Sequence, residues 1–468
     1  MPRDPNTLSG GRPSVRGFSM AQLVGRDTPA AVVAVVLCVA LVLATWFRGA
    51  FFEPQSSIML GVSLVLVAVV ISGFEATVLR REDVCLLALS IWWLVSAELH
   101  HVPRNFLPLG ASLAAILAGS IGTRTLGSRA RRTVNACIVA VGSLTGLVGL
   151  IACDVRWYPV AMRGQNLWRL AGTLTYSNAA GLLIAMALVL SLGTKSPAFW
   201  RILSLELCSA GLVASGSRGA IVAAAVAALV FLRSSLVEAA APLAAGICAG
   251  MVTIASSRGP AAAIPALVVA CLILVAGCAW SLWRAKEPRR RIALTHRAWK
   301  FAAGVGAVLA LGAIVIVART EIATRIGSGS IHARFAEWRL ALQQFRSSPF
   351  IGAGPDKVLI PQTSGVASYF AHNEYLQILA GAGIVGAFLL LATLILVGQR
   401  LWRDSKHEYG PVSAIVVFAL GGLFDYSWHL PALGLCAGIA LGLATPLGGG
   451  SGINHLAERR DVLAVSRS

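Results

Sequence analysis

Charge is what this chain has least of. Only 13% of its 468 residues are Asp, Glu, Lys or Arg, against about 25% in soluble domains. Hydrophobic residues make up 57%, and mean hydropathy is +0.76. Together these values exclude a soluble globular domain and make the chain an integral membrane protein. Paired cysteines are missing too. The nine cysteines, at 38, 85, 137, 153, 208, 248, 271, 278 and 436, lie mostly inside apolar runs and form no CxxC. They read as small buried hydrophobes rather than a disulfide framework or a metal site. No HExxH or comparable ligand spacing occurs, so neither a metal nor another cofactor is expected. No small-residue cleavage site precedes the first apolar run, and residues 1–29, polar and Arg-bearing, read as a disordered cytoplasmic tail rather than a signal peptide.

What the chain does have is apolar runs. A membrane-spanning helix needs about 20 residues, within a range of about 17–25. Candidate spans fall at 30–47, 57–74, 84–99, 107–122, 133–153, 171–193, 201–215, 219–233, 237–256, 262–283, 300–318, 375–398, 411–427 and 431–447. With the amino terminus inside, this arrangement puts 26 of the 39 Lys and Arg residues in the cytoplasm and 13 outside. That is the positive-inside bias. Merging 201–233 into one span would throw the seven basic residues from Arg284 to Lys300 outside, so the hairpin is preferred. Removing the pair 237–283 leaves the parity intact. The expectation is therefore an all-α polytopic membrane protein of about 12–14 transmembrane helices. Residues 30–447 form the membrane domain, and both termini, including the tail 448–468, are cytoplasmic. A net charge of +19 raises the possibility of nucleic acid, but the basic residues are distributed by membrane side, and no nucleic-acid partner is expected.

One long loop, 319–374, falls outside. It holds six of the 13 outside basic residues, between Arg319 and Lys357. Within it Phe335, Trp338, Leu342 and Phe345 recur at helical spacing, with Arg339, Gln343 and Arg346 facing elsewhere. The pattern predicts an amphipathic helix that either lies in the membrane interface or packs on the protein. Pro349 ends it, and Gly352-Ala353-Gly354-Pro355 reads as a tight turn.

Polar residues that could carry chemistry gather on the same side. Arg218 sits in the turn Ser215-Gly216-Ser217-Arg218-Gly219, between short spans. Fifteen residues reach ~22 Å against a hydrocarbon core of about 30 Å, so the turn is expected to be recessed into the outer leaflet. An arginine there is either functional or a structural or headgroup anchor. Arg169, Tyr176 and Asn178 enter the next membrane face, where ordinary interfacial anchoring is the plainer reading. His372, followed by Asn373, Glu374 and Tyr375, stands at the mouth of an apolar helix. It is either an interfacial polar residue or a general base. Asp425 and His429, in the last outer turn, read as structural or substrate-lining. Several arginines facing a histidine can hold a diphosphate through their guanidinium forks, while the histidine takes a proton from an acceptor hydroxyl.

Four stretches, in this order, carry a resemblance: RLAGTLTYSNAAG (169–181), SGSRGA (215–220), RFAEWRLALQQFRSSPFIGAG (334–354) and AHNEYLQILAGAGIVG (371–386), with FDYSWHLP (424–431) closing. They resemble the O-antigen ligase/polymerase superfamily of bacterial polytopic membrane glycosyltransferases. The resemblance implies an inverting, metal-independent transfer of a glycan from an undecaprenyl-diphosphate-linked oligosaccharide to a hydroxyl of an acceptor glycan, lipid or protein, on the outer face of the cytoplasmic membrane. It further implies His372 as the base and Arg169, Arg218 and Arg334 as diphosphate ligands. Tyr176, Asn178, Asn373, Glu374 and Tyr375 would orient the base or the substrate. Polymerase and ligase readings stand side by side, since no readable motif encodes the acceptor. A transporter or flippase of lipid-linked glycans is the reading from another class. It would call for inverted repeats and broken helices near the midplane, and the sequence shows no internal repeat.

Overall fold

A computed structural model of the chain describes residues 20–73, 79–164, 167–194, 198–286, 330–356, 360–361, 367–368, 370–404 and 409–446. The expected span 300–318, the tail 448–468 and much of the loop 319–374 lie outside the described residues. Thirteen of the fourteen apolar runs are helices: α1 (Met20–Trp46), α2 (Gln55–Gly73), α3 (Arg81–Leu99), α4 (Leu107–Arg124), α5 (Ser128–Val155), α6 (Ser177–Gly193), α7 (Ala198–Ser215), α8 (Arg218–Phe231), α10 (Ala240–Ser256), α11 (Ile264–Lys286), α13 (Glu374–Asp404), α14 (Tyr409–Gly421) and α15 (Pro431–Leu443). Between them lie the short α9 (Arg233–Glu238) and, in the long loop, α12 (Ser330–Ser347). Helix α1 starts inside the stretch read as a tail. The only strands among the described residues are two small antiparallel ribbons, β1 (Ala161–Gly164) with β2 (Leu167–Leu170) and β3 (Ile360–Pro361) with β4 (Ala367–Ser368). The protein is an all-α polytopic membrane protein. Among the described residues, seven helices are long and apolar enough to cross a membrane, and five more are apolar but only 10–17 residues long.

Small residues let the central helices approach closely, as they do where lipid supplies no hydrophobic drive. On α15, Gly434, Gly438 and Gly442 recur every fourth residue and face Ser112, Ile116 and Thr123 of α4. A Cβ at Gly438 would run into the Ile116 carbonyl. Deep in the bundle α6 is buried from Ser177 to Leu192 except at Asn178. Cys153, Cys208 and Cys436 are buried as anticipated, but Cys248 and Cys271 are exposed on α10 and α11, where the helices turn an apolar face outward.

The two ends of the bundle differ in chemistry. At one end, where α4 and α13 finish and α3 begins, Arg124 grips Asp83 (Nη2–Oδ1 2.8 Å) and Arg400 grips Glu82 (2.7 Å). Arg131 there donates to the carbonyls of Thr445 (2.6 Å) and Gly442 (2.8 Å) at the end of α15. At the other end α6, α8, α13 and α15 begin and α3, α7 and α14 finish, and there the remaining polar side chains converge.

Helix α13 is not one continuous rod. Gly383 has φ +66 and ψ −163, which divides it into a half-helix, 374–382, and a long segment, 384–404. The 21 residues of the long segment reach ~31 Å, enough to cross the hydrocarbon core alone. The backbone groups freed by the break are taken up by protein. Ala353 N–H donates to Ala380 O (2.8 Å), Gly354 N–H to Gly381 O (3.1 Å) and Ile384 N–H to Pro349 O (2.8 Å). Ser96 Oγ donates to Gly381 O (2.7 Å) and Trp92 Nε1 to Ala382 O (2.8 Å). The Pro349–Gly354 turn is thus clamped onto α13, and this fixes where α12 sits.

Candidate active site

The site is built around the start of α13. Asn373 caps the helix: its Oδ1 accepts the Leu376 N–H (3.1 Å), the preferred role of Asn at that position. Its amide also donates to Leu423 O (3.1 Å), pinning the cap to the end of α14. His372, just before the cap, has φ +47, a left-handed conformation in which His is several-fold enriched among side-chain-bearing residues. That turn sends the imidazole to α12, where Nδ1 lies 2.9 Å from Glu337 Oε2. A carboxylate can only accept. Nδ1 therefore carries the proton, and Nε2 is left as the basic atom. Burial pulls the His372 pKa down, but the hydrogen bond to Glu337 and the charges of Asp425 and Glu337 outweigh it, so the net shift is upward from 6.5.

Helix α12 presents an unexpected face to the protein. Glu337 (3% exposed) and Ala341 (1%) are its buried residues, while Phe335 and Leu342 of the anticipated apolar stripe point outward and Trp338 and Phe345 are half-buried. The rotation of the helix follows the hydrogen bond from His372 to Glu337, not the stripe.

Beside the histidine, Asp425 is 4% exposed and collects several donors. Tyr176 OH donates to its carboxylate (2.7 and 2.6 Å to the two oxygens), and Asn178 Nδ2 reaches both Asp425 and Tyr176 OH. Asn178 Oδ1 in turn accepts from Arg169 Nη2 (2.9 Å), whose Nε donates to Ser215 O (2.8 Å) in the turn between α7 and α8. Strand β2 holds Arg169 there, anchored on α10 by the bond from Trp168 N to Ser257 O (3.1 Å). Gly216 in that turn has φ +58 and lies against the Arg169 guanidinium, with no room for a Cβ to relax. Tyr426 joins the two halves. It stacks between Tyr176 (5.1 Å) and Phe370 (4.2 Å), and the His372 ring meets it in a T-shape at 5.2 Å.

The other two arginines flank Phe424. Arg334, on α12, donates to Phe424 O (2.8 Å). Arg218 is exposed at the first turn of α8, and its neighbour Gly219 packs on the Phe424 side chain. Glu374 and Tyr375 face away from this surface. Tyr375 OH donates to Ala419 O (2.8 Å). Glu374 is fully buried and accepts from Trp428 N, with His429 Nδ1 at 3.1 Å from its Oε2. On its other side His429 Nε2 lies 3.4 Å from Asp356 Oδ1, which also accepts from Gln377 Nε2 (3.1 Å). Burial lowers the His429 pKa, but the two carboxylates flanking it more than compensate, and it is pushed up to about 10.

Arg334, Glu337 and His372 thus come from one stretch of the chain. Residues 243–391, about a third of the protein, match the family model described as O-Antigen ligase. That segment is similar to the O-antigen ligase family. The matched segment runs from α10 into α13 and contains the His372–Glu337 pair and Arg334, whereas Arg169, Arg218 and Asp425 are supplied by the rest of the bundle. No curated protein matches the chain. The match supports an O-antigen ligase-type membrane enzyme of polysaccharide biosynthesis. Glu337 and Asp356 were not singled out by sequence, and Asp425 and His429 were read there only as structural or substrate-lining. Glu337 and Asp425 lie within the quoted blocks, but nothing in the pattern distinguishes a helix-face or turn carboxylate from one that grips a histidine or an asparagine.

Proposed function

We propose that this enzyme transfers a glycan from an undecaprenyl-diphosphate-linked donor to a hydroxyl of an acceptor glycan, lipid or protein, with inversion and without a metal ion. The observation that carries the reading is the hydrogen bond from His372 Nδ1 to the buried Glu337 (2.9 Å), which leaves Nε2 as a base, at the end of the bundle where Arg169, Arg218 and Arg334 also converge. His372 Nε2 takes the acceptor hydroxyl proton as that oxygen bonds to the anomeric carbon. The bond from the anomeric carbon to the diphosphate breaks, and its electron pair leaves with the diphosphate. Arg218 and Arg334, on either side of Phe424, stabilise the charge that develops there. Arg169, held by Ser215 O and Asn178, adds to that field. Asn373, Glu374 and Tyr375 hold the half-helix of α13 in place and with it the base. The positive-inside bias supports an outward-facing site, since Arg124, Arg131 and Arg400 are at the opposite end.

A transporter would show a broken helix such as α13, with unwound carbonyls free to coordinate an ion. The carbonyls of 380–382 are instead occupied by Ala353, Gly354, Ser96 and Trp92, which favours the enzyme. The test is a deletion strain. Single repeat units on the acceptor indicate a polymerase, full-length chains stranded on the lipid carrier indicate a ligase, and unchanged surface glycan rejects the proposal. With purified enzyme and donor, product that vanishes in chelator and returns with a divalent ion rejects the metal-free scheme.

A further inference from the structure

Far from this site, α7 carries one acidic residue in its middle. Glu206 is the ninth of 18 residues in α7, ~12 Å along the helix from its first residue and ~13.5 Å from its last, which puts it near the bilayer midplane. It is fully buried, and among the described residues neither carboxylate oxygen has a hydrogen-bond partner. The helices around it leave space but few donors. Gly246 of α10 packs on the Glu206 backbone, and Gly277 of α11 faces the carboxylate so closely that a Cβ there would lie 2.8 Å from Oε1. The hydroxyl of Ser209 is already spent on the carbonyls of Leu205 (2.7 Å) and Glu206 (3.1 Å). One turn beyond Gly277, Ser281 is buried with its own hydroxyl unpaired.

A carboxylate in this position is costly to charge. A metal cation would demand a shell of oxygens, whereas the groups against Glu206 are Gly277, Ala245 and Gly246. The titratable group that faces it is Cys278 of α11. Helix α10 carries Cys248, which is exposed; α6 contributes no titratable side chain; and α5 meets α7 through Ser143 and Gly146. Among the described residues no cation and no strong donor is at hand, so a proton is the ligand that this geometry fits.

We infer that Glu206 is a proton-binding site in the membrane interior, enclosed by α7, α10 and α11. The purpose of such a residue is not packing, since an apolar side chain of the same size would fill the space without the cost.

Thermal unfolding of the full-length protein in lipid nanodiscs, for wild type and Glu206→Gln, decides the matter. A protonatable carboxyl makes stability depend on pH, and Glu206→Gln lacks that contribution. Expected is a pH dependence of Tm that differs between wild type and variant; parallel curves overturn the inference. Carbodiimides give a second readout, because a protonated carboxyl adds across the C=N bond to form an acylurea with no leaving group. Modification of Glu206 by dicyclohexylcarbodiimide but not by a water-soluble carbodiimide, located by peptide mass spectrometry, supports the inference. Equal rates with both reagents would mean a wet carboxyl and would sink it.

Discussion

Glu337 Oε2 lies 2.9 Å from His372 Nδ1, and the clamp between α13 and the Pro349–Gly354 turn helps bring their two elements together. Glu337 raises the His372 pKa and fixes the tautomer, so its effect has a measurable sign. The base works when neutral, and activity falls as pH drops through a pKa shifted upward from 6.5. Glu337→Gln removes the charge, lowers that pKa and moves the acid limb of kcat/KM to lower pH, with a weaker base on the plateau. Glu337→Asp restores the charge at a shorter reach and recovers part of the shift. An unmoved acid limb in Glu337→Gln means that the carboxylate does not act through the histidine.

His372→Asn is the cleaner probe of the base itself. Asn tolerates φ +47, whereas Ala in that conformation would add strain unrelated to chemistry. Loss of a general base costs about 10²–10⁴ in rate. Transfer should fall by that much, while the melting temperature of the detergent-solubilised protein drops only as far as the loss of one buried hydrogen bond to Glu337, about 1–3 kcal/mol, requires. Full activity at equal expression would remove His372 from the mechanism.

The arginines should separate into two behaviours. Arg169 braces Asn178 and Ser215 with two different nitrogens, a fork that Lys cannot copy. Arg169→Lys is expected to lower both Tm and kcat/KM, since charge-assisted hydrogen bonds contribute about 1.5–3 kcal/mol each. Arg218 is exposed, so Arg218→Ala should spare Tm and reduce kcat/KM by about tenfold or more, the loss of one such contact to phosphate. A fall in the Tm of Arg218→Ala matching that of Arg169→Lys would make both arginines structural.

These residues also show how far a sequence can be read. Thirteen apolar helices were legible because the length of an apolar run is dictated largely by bilayer thickness, not by tertiary context. The GAG at 381–383 was not legible as a break: Gly is common inside membrane helices, and only the approach of Phe350 and Gly352 makes φ +66 necessary at Gly383. His372 stood out because it is polar at a helix mouth. Glu337 did not, because the aromatic stripe drew the reading to Phe335 and Leu342, as a face for the membrane interface or for the protein. Asp425 and His429 were visible but undervalued, since a turn residue reveals its partners only when α6 and the half-helix of α13 arrive beside it.

His429 makes a stability prediction with the opposite origin to that of a lone acid. It lies between Glu374 and Asp356 with its pKa pushed up to about 10. A histidine with a raised native pKa stabilises fully below its unfolded value, 6.5, and that contribution is lost as pH rises through about 10. Stability should therefore decline across this window. His429→Gln leaves two buried carboxylates without their cation, which costs about 3–5 kcal/mol, and flattens that part of the pH dependence. A variant as stable as wild type at neutral pH would show that His429 is neutral in the native protein.

The break in α13 can be tested at one atom. Gly383 combines φ +66 with ψ −163, a region essentially closed to residues with a Cβ. A Cβ there would also collide with Phe350 O and lie 2.6 Å from Gly352 N. Gly383→Ala must therefore either strain the backbone by about 1–3 kcal/mol or straighten the helix and release the Pro349–Gly354 turn. Release moves α12 and carries Glu337 away from His372. The expected outcome is a lowered Tm together with an acid limb shifted as in Glu337→Gln. Gly386→Ala, one turn along, meets Ala382 Cβ without a positive φ to satisfy and should change Tm without moving the acid limb. A shared pH profile for the two variants would disconnect the break from the base.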